Sequence, residues 1–191
     1  MANLTSLAKV KRALGIPTGN TVNDDYIGDL VSAADYQILA YTGQVALTQT
    51  ARSDAYDVEL DGQNEIALRG FPVSSVTAVT NAGNLLSSDD YYLDQRTGML
   101  RLTADGATWE QGKQTVEVSY TIGYQDGSPE LANLAHAATI VCCAHFNQTR
   151  HAGVRSEGMA GYRYMMDKQG LPAQAVAILS SFVRVVARDV T

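Results

Sequence analysis

The sequence predicts an α+β fold in which a small four-helix bundle, formed by the N- and C-terminal helices, carries an inserted antiparallel β module. At both ends of the chain the apolar residues recur every three or four positions, as they do on one face of a helix. From about residue 55 to residue 125 the period changes to two, which is typical of strands. Two helices bury little apolar surface by themselves, so packing the outer pairs together is the simplest way to cover their apolar faces.

The predicted domain division follows from this change of period. The helical bundle is expected to cover residues 1–51 and 126–191, and the inserted β module residues 52–125. A chain of 191 residues with 46% hydrophobic content is large enough to bury the core of one domain with a sizeable insertion.

The first pair of helices is predicted at about 5–14 and 23–41. In the first, Leu7, Val10 and Leu14 share one face, Thr5 can cap the start, and Gly15 ends it. The second begins with two acidic residues, which suit the positive end of a helix dipole. Its apolar stripe consists of Ile27, Leu30, Val31, Ala34, Ile38 and Tyr41.

Six short strands are predicted between the helix pairs. They read YDVEL, EIAL, SSVTAVT, DYYLD, MLRL and TVEVSYTIGY, and the segments that separate them are rich in turn residues. In the last strand Val116, Val118, Tyr120 and Ile122 share one face and polar residues occupy the other. This alternation is expected of an antiparallel sheet with one solvated side.

The second pair of helices is predicted at about 129–147 and 172–186. Pro129 and Pro172 each stand where the first turn of a helix tolerates proline. In the later helix Val176, Leu179, Phe182, Val183 and Val186 continue the apolar spacing, and Arg184 and Arg188 lie toward its end.

The composition and the motifs argue against tight DNA binding and against catalysis. The formal net charge is −6, whereas a protein that grips phosphates needs clustered Lys and Arg. The sequence contains no GxSxG, HExxH, phosphate-loop or GxGxxG motif. We therefore predict a protein that is not an enzyme, has no catalytic residues and uses no cofactor.

The sequence offers two further possibilities, a metal site and association with a membrane. Cys142 and His145 lie one helical turn apart and could share a metal ion, but small residues packed in a helix core explain them better, so no metal site is predicted. The apolar run from Ala137 to Ala144 is far shorter than the ~20 residues that span a bilayer. No membrane association is expected, and the N-terminal residues do not resemble a secretory signal, which favours the cytoplasm.

The segment from Ser156 to Pro172 combines glycines with aromatic side chains. Tyr162, Tyr164 and Met165 offer contact surface that a solvated linker has no reason to carry. Either this segment is an interaction surface, or it is an ordinary connection between helices.

Four stretches together resemble the head-tail connector (adaptor or head-completion) proteins of tailed bacteriophages. They are GFPVSSVTAV from Gly70, DDYYLD from Asp89, the run from Val116 to Phe146, and LPAQAVAILSSFVRV from Leu171. The order and spacing of these stretches carry the resemblance, which covers nearly the whole chain.

The resemblance implies a structural virion protein at the head-tail interface, assembled in the host cytoplasm. Such a protein forms a homo-oligomeric ring of about twelve subunits below the portal protein. The ring extends the DNA channel, lets DNA pass without tight binding, and joins the head to the next neck or tail protein. An acidic protein suits a channel through which DNA must slide.

The resemblance also indicates which residues make these contacts. The chain departs from the family at one point, since the family often has Trp or Tyr followed by Asn-Arg at the end of the third helix, where this chain has Phe146, Asn147 and then Arg150. The expected subunit or neck interface consists of Arg150, Tyr162, Arg163, Tyr164 and Met165. The expected portal-binding residues are Phe182, Arg184 and Arg188.

Two other functions stay open at this point. One is a different neck component, such as a stopper or tail-completion protein, which would share the strands but not the amphipathic outer helices. The other is a small hydrolase of unrecognised type, which would require a deep pocket with perturbed carboxylates or histidines.

Overall fold

The computed structural model describes residues 3–150 and 170–183, apart from the side chains of Thr149 and Arg150. These residues belong to two compact units. A helical unit combines the chain up to Gly43 with the stretch from Gly127 to Val183, and a β unit covers Gln44–Asp126.

The helical unit contains two long helices and two short ones within the described residues. Helix α1 is Leu7–Ala13, α2 is Asp24–Thr42, α3 is Pro129–Arg150 and α4 is Ala173–Leu179. A short 3₁₀ helix, Ser180–Phe182, follows α4 directly. Helix α3 packs against the other three helices, and α2 also contacts α1 and α4.

Helix α1 ends early because its last carbonyls are satisfied by a tight C-terminal turn. The backbone N–H of Gly15 donates to the carbonyl of Arg12, and the N–H of Ile16 donates to that of Lys11. Gly15 adopts a φ of 69°, the left-handed conformation that this turn requires. The helix is therefore only seven residues long.

Buried Lys11 joins α1 to the start of α2. Its side chain is almost fully buried, and its ammonium group donates to the carbonyls of Thr18 and Asn20 at 3.1 and 2.7 Å. A third bond, 2.7 Å long, reaches the Oδ1 atom of Asp24 in the first turn of α2. All three N–H donors of the ammonium group are thus satisfied, which permits its burial.

The core of the helical unit lies between α2 and α3. Ile27, Val31, Ala34 and Ile38 recur on one face of α2 and are buried. The other helices contribute further buried apolar residues, which are Val10, Leu134, Ala137, Ala138, Val141, Cys142, Ala144, Phe146, Ala175 and Leu179.

The predicted four-helix bundle of terminal helices is wrong. The chain is a mixed α+β fold with four helices and seven strands in two antiparallel sheets among its described residues. Helices α1 and α4 have seven residues each, and such helices are only about 10 Å long, too short to pack along the whole length of α2 and α3. The predicted fourth helix also stops at Leu179, and Val183 has extended backbone.

The fourth helix stops at a pair of serines. The hydroxyl of Ser180 donates to the carbonyl of Ala177, and that of Ser181 donates to the carbonyl of Ile178, at 3.0 and 2.9 Å. Serine side chains that bond to nearby backbone compete with the helical pattern. The apolar spacing beyond Leu179 therefore does not continue the α-helix.

The β unit contains seven strands in the described part of the chain. They are β1 Thr50–Val58, β2 Glu65–Ala67, β3 Val73–Asn81, β4 Asn84–Leu85, β5 Tyr91–Asp94, β6 Met99–Leu102 and β7 Gly112–Ile122. One sheet has the order β1-β7-β3-β4 and the other β2-β6-β5, with antiparallel pairing in both. The sequence predicted six strands and missed β4.

Both sheets contribute to one apolar core. The predicted face of β7 is buried, since Val116, Val118, Tyr120 and Ile122 are at most 2% exposed. They cluster with residues of the other strands and loops, including Tyr56, Val58, Ile66, Leu68, Val79, Leu100 and Trp109. The predicted domain boundaries, 51/52 and 125/126, stay a prediction, because a compact unit need not fold independently.

Asp35 gives the helical unit a specific pH dependence. Burial raises its pKa from 3.8 to about 6, although the backbone N–H of Leu4 bonds to its carboxylate. The folded protein therefore binds this proton more tightly than the unfolded chain. The stability from this site is fully present below the unfolded pKa and is lost as the pH rises through about 6.

We expect Asp35→Asn to raise the free energy of unfolding at pH 7 by about 1 kcal/mol. This is less than the full pKa shift corresponds to, because the side chain is partly solvated. The gain should shrink at pH 4.5, where the carboxyl group is mostly protonated in the folded protein. Denaturant melts of both proteins at the two pH values measure this, and an equal gain at both would contradict the assignment.

Candidate functional site

Most of the interface residues predicted from the sequence lie outside the described residues. This is true of Tyr162, Arg163, Tyr164 and Met165 and also of Arg184 and Arg188. Arg150 is the last residue of α3, but its side chain is not described. The structure therefore does not test whether the predicted interface residues lie together, and their roles stay predictions.

Phe182 is the one predicted site residue whose side chain is described. It ends the 3₁₀ helix and is partly buried, next to Val183, which is 40% exposed. By contrast, Leu171, Ala175 and Leu179 at the start and along α4 are buried. The side chain of Phe182 thus lies at the margin of the helical core.

Cys142 and His145 lie on α3, and both contact α2. The thiol of Cys142 donates to the carbonyl of Leu30 at 3.5 Å, and burial raises its pKa to about 12. The Nε2 atom of His145 lies 3.1 Å from the Oε1 atom of Gln37. Within residues 3–150 and 170–183, no group of three potential ligands is placed to hold a metal ion. Nor does any helix in the described ranges have the length and apolarity to cross a bilayer.

A buried polar network in the β unit fixes the approach to β3. The hydroxyl of Tyr120 donates to the carboxylate of Asp54 at 2.5 Å and accepts from the N–H of Gly70 at 3.0 Å. The hydroxyl of Tyr56, 3.3 Å from that of Tyr120, accepts from the N–H of Arg69. The network therefore attaches the backbone before β3 to strands β1 and β7.

The charges in this network suit a structural role. The guanidinium of Arg52 bonds to Asp54 at 2.5 Å, and this bond holds the pKa of the carboxyl group below its ordinary value. Burial and the neighbouring Asp54 raise the pKa of Tyr120, so its hydroxyl stays protonated and keeps donating. No pattern in the sequence pointed to this arrangement, since Asp54 lies in a stretch without clear alternation.

We expect Tyr120→Phe to lower the free energy of unfolding by about 1–3 kcal/mol, because the N–H of Gly70 and the carboxylate of Asp54 each lose a partner. Tyr92→Phe is the matched control, since that tyrosine is 64% exposed, and should change the value by less than about 0.5 kcal/mol. Urea denaturation measures both. Equal changes in the free energy of unfolding for the two variants would mean that the hydrogen bonds of Tyr120 add little to stability.

A groove of about 660 Å³ opens between β3 and β5. Its lining comes from Ser74–Val76, Ser88 and the stretch from Tyr91 to Arg96. The lining mixes serines with apolar and aromatic side chains, and it holds a single carboxylate, Asp94, and neither histidine nor cysteine. The groove has the composition of a contact surface rather than of a catalytic pocket.

The outward face of α2 is a second exposed surface that the sequence analysis overlooked. Val22, just before the helix, is 87% exposed and Tyr36 is 74% exposed. The exposed positions of this face recur at alternating spacings of four and three residues, and they are Val22, Tyr26, Asp29, Ala33, Tyr36 and Ala40. That spacing, visible in the sequence, could have drawn attention to this face.

Comparison with known families decides the identity of the chain. The sequence matches the family described as "Head completion protein" over residues 3–185. The chain belongs to the head completion protein family. The resemblance seen in the sequence motifs is therefore confirmed, and so is the prediction of a structural virion protein that completes the head.

Solved structures with the same fold come from gene transfer agent (GTA) particles. A chain of the "Neck of empty GTA particle computed with C6 symmetry" has a TM-score of 0.59 at 21% identity, over 97% of this chain and 92% of the other. A chain of the "Virion of native gene transfer agent (GTA) particle" has a TM-score of 0.59 at 18% identity, over 98% and 97%.

A third chain, from the "Neck of native GTA particle computed with C12 symmetry", has a TM-score of 0.55 at 16% identity, over 98% and 97% of the two chains. At these identities the likeness concerns the fold. No curated protein sequence matches this head completion protein significantly.

Proposed function

We propose that this head completion protein forms a homo-oligomeric ring of about twelve subunits below the portal of the virion. In this position the ring extends the DNA channel and joins the head to the next neck or tail protein, without catalysing a reaction. The observation that carries the proposal is the family match over residues 3–185. Structures of the same fold that are described with C6 and C12 symmetry are in keeping with a cyclic assembly.

The charge of the chain supports the passage of DNA without tight binding. Twenty acidic side chains against fourteen lysines and arginines leave a net charge of −6. A channel wall with this balance repels phosphates, whereas clustered cations would retain them. The protein would assemble in the host cytoplasm before it joins the particle.

We expect the purified protein to bind duplex DNA no better than an unrelated acidic protein of similar size at physiological salt. The physical reason is that affinity for duplex DNA comes mainly from Lys and Arg contacts to phosphates. A gel-shift titration at several salt concentrations tests this. Binding at micromolar protein with a steep salt dependence would contradict the proposed channel role.

The proposal assigns two groups of contacts. Arg150, Tyr162, Arg163, Tyr164 and Met165 form the contact to neighbouring subunits or to the next neck protein. Phe182, Arg184 and Arg188 bind the portal, since an arginine offers bidentate donors to acidic surfaces. The partly buried position of Phe182 next to exposed Val183 is compatible with this role.

The portal assignment is tested by reversing both arginine charges in the variant Arg184→Glu with Arg188→Glu. We expect loss of co-sedimentation with the portal and an unchanged melting temperature. The matched control reverses two exposed cations of α1, Lys9→Glu with Arg12→Glu, and should still co-sediment. Wild-type portal binding by the arginine variant would place the attachment elsewhere.

A further inference from the structure

The groove between β3 and β5 arises where two neighbouring chain segments separate. Strand β4 pairs with β3 at Thr80 and Asn81, and the N–H of Leu86 then donates to the carbonyl of Val79 at 2.9 Å. Further along, the side-chain amide of Gln95 donates to the carbonyl of Ser74 at 2.9 Å. Between these two contacts the chain forms β5, a strand of the other sheet, and the groove is the space between β5 and β3.

Among the residues that the structure describes, strand β5 has an unpaired backbone edge. It pairs with β6 on one side only, and its register begins with the N–H of Thr103 donating to the carbonyl of Asp90 at 2.9 Å. In an antiparallel pair every second residue bonds to the partner strand. The backbone N–H and C=O groups of Tyr92 and Asp94 therefore bond to β6. Those of Tyr91 and Leu93 point away from β6.

Within residues 3–150 and 170–183, strand β3 has an unpaired stretch as well. From Val73 to Ala78 it pairs with β7 on one side, with bulges at Ser74 and Thr77, while β4 covers only Thr80 and Asn81 on the other side. Ser74 to Ala78 are not fully buried. Unpaired strand edges are templates for another strand, and proteins usually protect them with lysine, proline or β-bulges. The two bulges interrupt the edge of β3, whereas β5 pairs with β6 in a regular register. Neither lysine nor proline occurs in Ser74–Ala78 or in Tyr91–Asp94.

The same molecule carries a suitable donor strand. In the described part of the chain, strand β1 is the opposite edge of the four-stranded sheet and pairs only with β7. None of its residues from Thr50 to Ala55 is fully buried, and its two charges in this stretch, on Arg52 and Asp54, neutralise each other. A cyclic assembly requires two different, complementary surfaces on each subunit, and the two ends of one sheet provide them.

We propose that the N-terminal half of β1 in one copy adds as a strand to the groove between β3 and β5 in the next copy. Backbone hydrogen bonds would supply the contact, and the serine hydroxyls of the groove would meet the polar side chains of Thr50 and Ser53. This proposal rests on the proposed ring and names the second copy of the chain as the occupant.

Residue-resolved amide hydrogen exchange tests the strand pairing. The amides of Tyr91 and Leu93 should exchange fast in the free subunit and about tenfold or more slowly in the assembled protein, because only assembly gives them a partner. Those of Tyr92 and Asp94, already bonded to β6, should change much less. Assembly without this alternating protection would overturn the proposal.

The partner is tested by a designed disulfide between copies. Ser53→Cys with Ser75→Cys, both at exposed positions, should give a ladder of covalent oligomers under mild oxidation of the assembled protein. The control pair Leu60→Cys with Ser75→Cys keeps the groove cysteine but moves the other to an exposed turn outside the donor stretch, and should give none. Equal ladders from both pairs, or none from the first, would overturn the choice of β1.

Two further outcomes separate this proposal from the proposed function. If electron microscopy detects no ring either alone or with the portal, the proposed function fails and this inference fails with it. If rings form but Tyr91 and Leu93 gain protection only after another neck protein is added, the ring stands and the second copy is the wrong occupant.

Discussion

Gly123→Ala is expected to lower the free energy of unfolding by roughly 3 kcal/mol or more. Gly123 has a φ of 90°, and a Cβ atom built there would lie 2.2 Å from the carbonyl oxygen of Thr48. A left-handed conformation costs a non-glycine residue about 1–2 kcal/mol, and forced overpacking adds about 1–3 kcal/mol.

Gly123→Ala would also disturb neighbouring backbone hydrogen bonds, because the backbone at Gly123 and Tyr124 is bonded to two other segments of the chain. The N–H of Gly123 donates to the carbonyl of Pro72 at 2.9 Å, and that of Tyr124 donates to the carbonyl of Leu47 at 3.0 Å. Moving Thr48 away from a new methyl group would disturb the second bond and the bridge between Thr48 and Tyr124. Both bonds belong to the β unit.

Gly28→Ala is the matched control for Gly123→Ala. Gly28 lies inside α2, and a Cβ atom built there meets no atom within 4 Å. Alanine is favoured over glycine in a helix interior, so this variant should gain about 0.5–1 kcal/mol. Urea denaturation of both variants gives the comparison. If Gly123→Ala lowers the free energy of unfolding by less than about 1 kcal/mol, the backbone at Thr48 must shift easily to accept the methyl group.

Lys11→Met is expected to cost roughly 2–4 kcal/mol of unfolding free energy. The substitution keeps most of the apolar stem but removes the ammonium group, which bonds to Asp24 and to the carbonyls of Thr18 and Asn20. Breaking a buried ion pair from one side costs about 3–5 kcal/mol, and the partial exposure of Asp24 places the expected value lower.

The control for Lys11 is Lys9→Met in the same helix. Lys9 is exposed on α1, so its substitution should change stability by less than about 0.5 kcal/mol. Thermal and urea melts compare the two variants. If Lys11→Met is as stable as the Lys9→Met control, Lys11 does not stabilise the connection from α1 to α2.

The helix starts and ends that depend on local chemistry could be predicted from the sequence. Gly43 ends α2 with a φ of 67°, and the acidic first turn of that helix lies where its residues predicted it. The alternation in β7 correctly indicated its buried face. These features depend on a few neighbouring residues, so one sequence contains the information.

The errors occurred where tertiary contacts or short segments decide the structure. The apolar spacing from Leu179 to Val183 suggested a longer helix, but Ser180 and Ser181 bond back to the backbone. Strand β4 has two residues, too few for a period. The stretch TARSDA at the start of β1 does not alternate, so the sequence predicted only the later part of this strand and not the role of Asp54.

The candidate groove could not be predicted for a related reason. Whether the edge of β5 is free depends on which strands pair, and pairing joins segments far apart in the chain. The tyrosines of DDYYLD were visible in the sequence, but their position at an open edge follows only from the register of β5 with β6.

The central claim is that this protein completes the head and joins it to the tail. The most direct measurement is electron microscopy of particles assembled without the protein, before and after addition of the purified wild-type chain. The account predicts DNA-filled heads that lack tails, and tailed particles with a new ring below the portal after the addition. A normal yield of tailed particles in the absence of the protein would contradict it.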